Sequence, residues 1–240
     1  MKKERGMLVN AVIAAAGKGT RMNTDLCKQY IGINGIPMLA RTIQAFEDCS
    51  RVDAIILVIN EKDMVFCKRE IIDAYGLRKV KILAPGGAVR QESVYNGLLH
   101  VDRACDIVLV HDGARPFIGP DSIMDSINAA EKYGAACVAV PVKDTVKEAD
   151  SGGFVRTTLD RSALWSVQTP QAFKYELLAK AYENARETGF TGTDDAVLVE
   201  RLGYRIRLVT GNYFNIKITT KEDLVLAEAI ARIYDGNGRK

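Results

Sequence analysis

The stretch LVNAVIAAAGKGTRM, residues 8 to 22, decides how this chain is read. From Leu8 to Ala16 it is a near-continuous apolar run, the pattern of a strand buried on both faces of a parallel sheet. Gly17, Lys18, Gly19 and Thr20 then break the run with two glycines. Outward from this point the same beat recurs. Ile36 to Phe46 is apolar at helical spacing, with Pro37 near its start. AIILVI, Ala54 to Ile59, is a second buried strand, and Glu61 to Tyr75 reads as a helix. Val80 to Ala84 is a third strand closed by Pro85, Gly86 and Gly87, followed by a helix from Val89 to Val101. Asp106 to Val110 is a fourth strand, ending at His111, Asp112 and Gly113. Asp121 to Tyr133 is a helix with Asp121 as its cap, and Ala135 to Val140 is a fifth strand.

Strands alternating with helices predict an α/β fold, a mostly parallel sheet with helices on both faces, as one domain over residues 1–240. Right-handed crossovers place the strand C-termini along one edge, where ligands of such sheets bind. The loops after Ala16, Ala84 and Val110 all fall there. After Pro141 the rhythm changes. VKDTVKEADSGGFVRTT, Val142 to Thr158, carries Ser151, Gly152 and Gly153 between two short β-branched runs and reads as a hairpin. This arm, at about residues 142–160, has little apolar surface of its own and needs something to lean on; a dimer partner is one candidate. Helices near Tyr175 to Thr188 and Asp194 to Arg201, a strand from Arg205 to Thr210 and a helix from Lys221 to Tyr234 complete the pattern.

Composition narrows the function. With 33 Lys and Arg against 30 Asp and Glu, the net charge of +3 is too balanced for a general nucleic-acid binder. The 5 cysteines are widely spaced without a C-x-x-C pair, and only 2 histidines are present, so zinc and His-rich metal sites lack support. Free thiols point to a reducing cytoplasm. No segment is long enough to span a membrane. Lys2, Lys3 and Arg5 before Ala14, Ala15 and Ala16 imitate a signal peptide, but Asn10 interrupts the run and Lys18 and Arg21 follow it, as a buried strand entering a loop would.

The first loop matches neither familiar phosphate-binding pattern. Gly19 after Lys18 breaks a P-loop, and Met22 stands where a dinucleotide fingerprint needs glycine. What remains is a Gly-x-Gly turn with Lys18, Arg21 and Lys28 close behind, suited to a polyphosphate. Asp112, at the end of a strand facing that loop, suits a hard divalent cation. Arg115 could equally meet a phosphate or pair with a carboxylate. Backbone groups at Gly86 and Gly87, with Ser93, could read a base edge, or simply form a loop and a helix start. Lys143, Asp144, Thr145, Arg161, Thr169 and Lys217 are scattered polar positions whose convergence the sequence alone does not establish. Asp194 and Asp195 read as a helix cap and a first-turn acid.

AAAGKGTRM, then Lys28, Gln29 and Tyr30, VHDGARPF, VPVKDTVK, Asp160 and Arg161, WSVQTPQAF, GTDDA and NIKITT occur in this order from about Val9 to about Glu228. Together they resemble the 2-C-methyl-D-erythritol 4-phosphate cytidylyltransferase family of the non-mevalonate isoprenoid pathway. The resemblance implies a Rossmann-like nucleotidyltransferase fold and a homodimer joined through the hairpin arm. It implies transfer of CMP from CTP to methylerythritol phosphate, with Mg²⁺ or another divalent cation and release of pyrophosphate. By motif, Ala15, Ala16, Gly17, Lys18 and Gly19 would wrap the triphosphate, with Gly86, Gly87, Arg90, Ser93 and Gly113 also on CTP. Arg21, Lys28, Arg161 and Lys217 would be catalytic, and Asp112 would hold the metal. Thr145, Arg115 and Thr169 would contact the acceptor, Thr145 and Arg161 reaching the partner subunit's site.

Two positions depart from the family pattern. Phe214 stands where some members carry an acid, and Ala88 where some carry Asp. A ribitol-5-phosphate cytidylyltransferase is the nearest rival, disfavoured by Ala15 and Ala16 and by the VPVKDTVK run. A non-catalytic CTP sensor would be expected to lack one of the catalytic cations, and all are present. A dinucleotide-dependent dehydrogenase is disfavoured by Met22.

Overall fold

A computed structural model describes residues 6–17 and 28–237. Strand β1 (Val9–Ala14) is the centre of the construction. Val9, Ala11 and Ile13 enter one apolar core and Val12 enters the other, so the uninterrupted apolar run reflects burial on both faces. A short hairpin follows, β2 (Gly32–Ile33) with β3 (Ile36–Pro37), then α1 (Met38–Glu47) and β4 (Ala54–Ile59). Pro37 thus belongs to the strand and serves as the helix N-cap, so α1 starts later than the sequence indicates. The helix expected over Glu61 to Tyr75 is broken into a 3-10 turn (Glu61–Asp63), α2 (Met64–Cys67) and a π-helical stretch (Lys68–Asp73).

The chain continues with β5 (Val80–Pro85), α3 (Arg90–Leu98), β6 (Ile107–Asp112), α4 (Pro120–Tyr133) and β7 (Ala135–Pro141). Strand β6 therefore runs two residues beyond Val110 and ends on Asp112 itself. Asp121 does not cap α4. Gly119 occupies the cap position, Pro120 fills the first turn, where its missing N–H costs nothing, and Asp121 sits in that turn against the helix dipole.

The arm is β8 (Lys147–Ala149) paired antiparallel with β9 (Val155–Thr158). Its turn is closed by Asp150, whose carboxylate accepts from the backbone N–H groups of Gly152 and Phe154, at 2.9 and 3.0 Å. Every residue of both strands is exposed, and Phe154 at the tip is 75% exposed.

Strand β10 (Trp165–Lys174) has no counterpart in the sequence reading. It lies between β6 and β7, antiparallel to both. Pro170 at its middle argues against a central strand, but the register with β7 skips from Val167 to Gln171, so the proline occupies a bulge where no ladder hydrogen bond is needed. The chain closes with α5 (Tyr175–Glu187), α6 (Asp195–Arg201), β11 (Arg207–Thr210) and α7 (Lys221–Asn237). The seven-stranded sheet has the order β11-β7-β10-β6-β1-β4-β5, parallel except for β10. Residues of α1 and α4 fill one face and those of α3, α5 and α6 the other. The C-terminal ends of β1, β4, β5 and β6 share one edge, and the site forms there.

Candidate active site

Five segments converge at that edge around a cavity of ≈ 550 Å³, lined among others by Ala15, Ala16, Gly17, Lys28, Gly87, Arg90, Ser93, Asp112 and Lys217. Each arrives for a local reason. The Ala15 to Gly17 loop leaves β1 and is pinned where Ala15 N–H donates to the Val58 carbonyl at 2.7 Å. The loop after β5 is tied back by Gly86 N–H on the Ile59 carbonyl at 2.8 Å. Gly87 N–H then donates to Ser93 Oγ at 3.0 Å, and Ser93 Oγ donates to the Val89 carbonyl at 3.1 Å, so the hydroxyl organises its own loop. Ala88 N–H donates to the Glu92 carboxylate at 2.7 Å, so this loop is braced without an acid at position 88. Lys28 reaches the cavity from a 3-10 turn (Lys28–Tyr30), its ammonium donating to the Ile218 carbonyl at 3.2 Å.

Asp112 is the electrostatic centre. Its carboxylate is met by Arg90 Nε at 2.9 Å and Lys217 Nζ at 2.8 Å, with Arg115 Nε at 3.7 Å, beyond hydrogen-bond distance. Burial works against the charged carboxylate, but Arg90, then Lys217 and Arg115, outweigh it and hold Asp112 well below the usual carboxylate range. Its backbone N–H donates to Thr169 Oγ1 at 3.1 Å, and that hydroxyl also meets His111 Nδ1 at 3.0 Å. The second ring nitrogen of His111 faces the Arg115 carbonyl at 3.2 Å. Burial pushes His111 down to about 4, so at neutral pH the ring is uncharged: Nδ1 accepts from Thr169 and Nε2 donates to the carbonyl. The Thr169 hydroxyl is thus committed within the protein to fixing the end of β6.

Arg115 donates to the Asn215 carbonyl at 2.7 Å, and Asn215 Nδ2 donates to Gln168 Oε1 and the Thr169 carbonyl, both at 3.0 Å. This ties the segment before Lys217 to β10. Arg115 also lines a neighbouring cavity of ≈ 330 Å³ with Lys143, Asp144, Gln168, Tyr213 and Asn215. The Asp112–Arg115 pair stands between the two spaces. Gly113 packs beside the first loop, where a Cβ would come within 2.7 Å of Ala15 Cβ. Phe214 sets its ring edge-on to Tyr234 and supplies no metal-binding atom near Lys217.

Thr145 and Arg161 lie at the base of the arm, both exposed and away from the lining of the larger cavity. Arg161 donates to the Lys143 carbonyl at 2.6 Å. Lys18, Gly19 and Arg21 lie outside the described residues.

One carboxylate tied to the cavity lining was read from the sequence only as a helix-terminal acid. Asp194 caps α6 as expected, accepting from Val197 N–H at 3.0 Å. Asp195, however, is buried and binds Arg90 Nη2 at 2.8 Å. The available signal was helical spacing, which puts Asp195 on the same face as Leu198 and Val199.

Among the described residues no group of three or more His, Cys, Asp and Glu could hold a metal by itself. A lone carboxylate at the wall of a cavity lined also by Lys28, Arg90 and Lys217 fits Mg²⁺ chemistry of another kind, in which substrate phosphates supply most of the ligands.

A family model described as IspD, 2-C-methyl-D-erythritol 4-phosphate cytidylyltransferase, matches residues 9–233. A protein of that name from Caldanaerobacter subterraneus subsp. tengcongensis is 49% identical over 226 residues, covering 94% of this chain and 100% of the relative. One from Pelotomaculum thermopropionicum is 47% identical over 95% of this chain and 96% of its own. The crystal structure of 4-diphosphocytidyl-2C-methyl-D-erythritol synthase from Anaerococcus prevotii superposes with a TM-score of 0.84 at 36% identity, covering 95% of this chain and 97% of that one.

Proposed function

The chain belongs to the 2-C-methyl-D-erythritol 4-phosphate cytidylyltransferase family, so its fold is the Rossmann-like nucleotidyltransferase one and its activity is CTP-dependent cytidylyl transfer in isoprenoid biosynthesis; we propose that the larger cavity is where CTP reacts. The observation that carries this reading is the cluster of Arg90, Lys217 and Arg115 on the single carboxylate of Asp112 at the cavity wall. A phosphate oxygen of methylerythritol phosphate attacks the α-phosphorus of CTP, a P–O bond to the β-phosphate breaks, and pyrophosphate leaves. The attacking group is already an anion, so no strong base is required. The protein's work is alignment and charge neutralisation.

In this reading the Ala15 to Gly19 loop and Gly113 hold the triphosphate, and Gly86, Gly87 and Ser93 border the cytosine. Lys28, with Arg21, stabilises charge building at the α-phosphorus. Lys217, at the larger cavity, and Arg115, at the neighbouring one, receive the acceptor's phosphate. Asp112, with nucleotide oxygens, would hold a divalent cation such as Mg²⁺, which supplies positive charge to the phosphates when bound. The exposed arm makes the enzyme a homodimer in which Thr145 and Arg161 serve the partner's site, and the free thiols suit the cytoplasm.

The test is pyrophosphate release from CTP and Mg²⁺ with methylerythritol phosphate and ribitol 5-phosphate offered in parallel. Turnover with methylerythritol phosphate that Asp112→Asn abolishes supports the reading. Turnover with ribitol phosphate alone overturns the acceptor, and full activity in Asp112→Asn overturns the site.

A further inference from the structure

Arg90 is shared between two carboxylates, and only one of them faces the cavity. Its Nε meets Asp112 at 2.9 Å, and its Nη2 meets Asp195 at 2.8 Å. Asp195 is 1% exposed and is itself fixed from several sides. Its other oxygen accepts from Tyr182 Oη at 2.5 Å. Its backbone N–H and that of Ala196 donate to Gln171 Oε1 on β10, at 3.1 and 2.9 Å. Because Asp194 takes the capping duty, the Asp195 side chain is left to turn inward.

A charge buried this deeply needs a partner, and a partner already committed elsewhere holds its position poorly. Asp112 is such a partner, because Lys217 and Arg115 also draw on its carboxylate. Among the described residues Asp195 meets no cation other than Arg90, and Tyr182 holds its second oxygen. Burial disfavours charge on Arg90, but Asp195 first and Asp112 second more than offset it, so the guanidinium stays charged. Tyr182, pushed well above its ordinary value by burial and then by Asp195, remains a donor.

We propose that Asp195, backed by Tyr182, is a positioning residue that keeps Arg90 aimed into the nucleotide cavity whether or not Asp112 is engaged elsewhere. The role deepens the proposed site and rests on it. It makes a specific statement about energetics: Asp195 acts on CTP only through Arg90, and on the acceptor not at all. Removing it lets the guanidinium swing toward Asp112, so the nucleotide meets a displaced cation.

The experiment is steady-state kinetics on Asp195→Asn, Tyr182→Phe, Arg90→Met and the Arg90→Met/Asp195→Asn double variant, each scored for KM of CTP, KM of methylerythritol phosphate and kcat. Asp195→Asn is expected to raise the CTP KM about tenfold, the scale of one lost hydrogen bond to a charged group. The acceptor KM should stay unchanged, and the substitution should add nothing in the Arg90→Met background, since residues acting as one unit are not additive. Tyr182→Phe should give a smaller rise of the same selectivity, and it decides the matter alone if Asp195→Asn does not fold. An equal rise in both KM values, a full further rise on top of Arg90→Met, or no change in CTP KM overturns the role. A wild-type chain that released no pyrophosphate from CTP would instead overturn the site reading, and this inference with it.

Discussion

A methyl group placed on Gly86 would stand 2.2 Å from the Cβ of Ala16 and 3.4 Å from Ser93 Oγ. The loops after β1 and β5 therefore touch through a glycine, and that contact sets one wall of the larger cavity, where CTP is proposed to bind. Ala16 has no flexible side chain with which to yield, and Gly86 is tied to Ile59. Gly86→Ala must push the first loop away. The expected outcome is a loss of about 1–3 kcal/mol in stability, typical of overpacking, together with a raised CTP KM. Gly6→Ala, where nothing lies within 4 Å and no helix is capped, serves as the control in urea melts and kinetics. Equal behaviour of the two variants would sever the link between this contact and nucleotide binding.

Buried thiols give the protein an alkaline limit. Burial pushes both Cys67 and Cys105 from about 9 up to about 12. The folded values are raised, so this stability is fully present below pH 9 and is lost as pH climbs toward 12, because the unfolded chain releases its protons first. At pH 10 each thiol accounts for roughly 1 kcal/mol. Urea midpoints taken from pH 8 to pH 10 should fall. Cys105→Ala, which removes a thiol that donates to the Ile107 carbonyl at 3.0 Å, should flatten the fall. An unchanged slope in that variant would remove Cys105 from the account.

Lys28 offers the sharpest kinetic test. Its side chain lines the cavity, and in the proposed mechanism its charge is needed chiefly when the α-phosphorus becomes more negative. Lys28→Ala should lower kcat by about 10²- to 10³-fold, the loss typical of a donor that stabilises developing charge. CTP affinity and the thermal midpoint should move little by comparison. Wild-type turnover in the variant would strike Lys28 from the mechanism.

What the sequence made legible follows from how local each signal is. The run from Leu8 to Ala16 announced a strand buried on both faces because burial on both faces leaves no polar alternation. Asp112 was found because the end of a strand and a following Gly are neighbours in sequence. Strand β10 was lost because Pro170 argues locally against a central strand, and only the β7 register reveals the bulge that accommodates it. Asp195 was assigned a helix-terminal role because its true partner, Arg90, is 105 residues away. A first-turn acid and a buried counter-ion look alike until the sheet brings α3 and α6 together. The cap at α4 failed for a simpler reason: Gly119 and Pro120 already provide a start.

The arm gives the last prediction, and it concerns assembly. A hairpin whose two strands are exposed throughout, carrying Phe154 at 75% and Val155 at 61% exposure, has surface that a second copy would cover. Phe154→Asp should shift the sedimentation of the chain toward monomer and lower activity in parallel. If the arm carries Arg161 into the partner's site, two inactive chains can repair one another. Lys28→Ala and Arg161→Ala, each nearly silent alone, should regain activity when mixed, because half of the sites in a heterodimer contain both wild-type residues. With random re-pairing of equal amounts, about half of the dimers are mixed and each has one intact site, so recovery should approach about a quarter of wild type, provided sites act independently. No recovery among verified heterodimers would place Arg161 in its own subunit's site and leave the arm a purely structural contact.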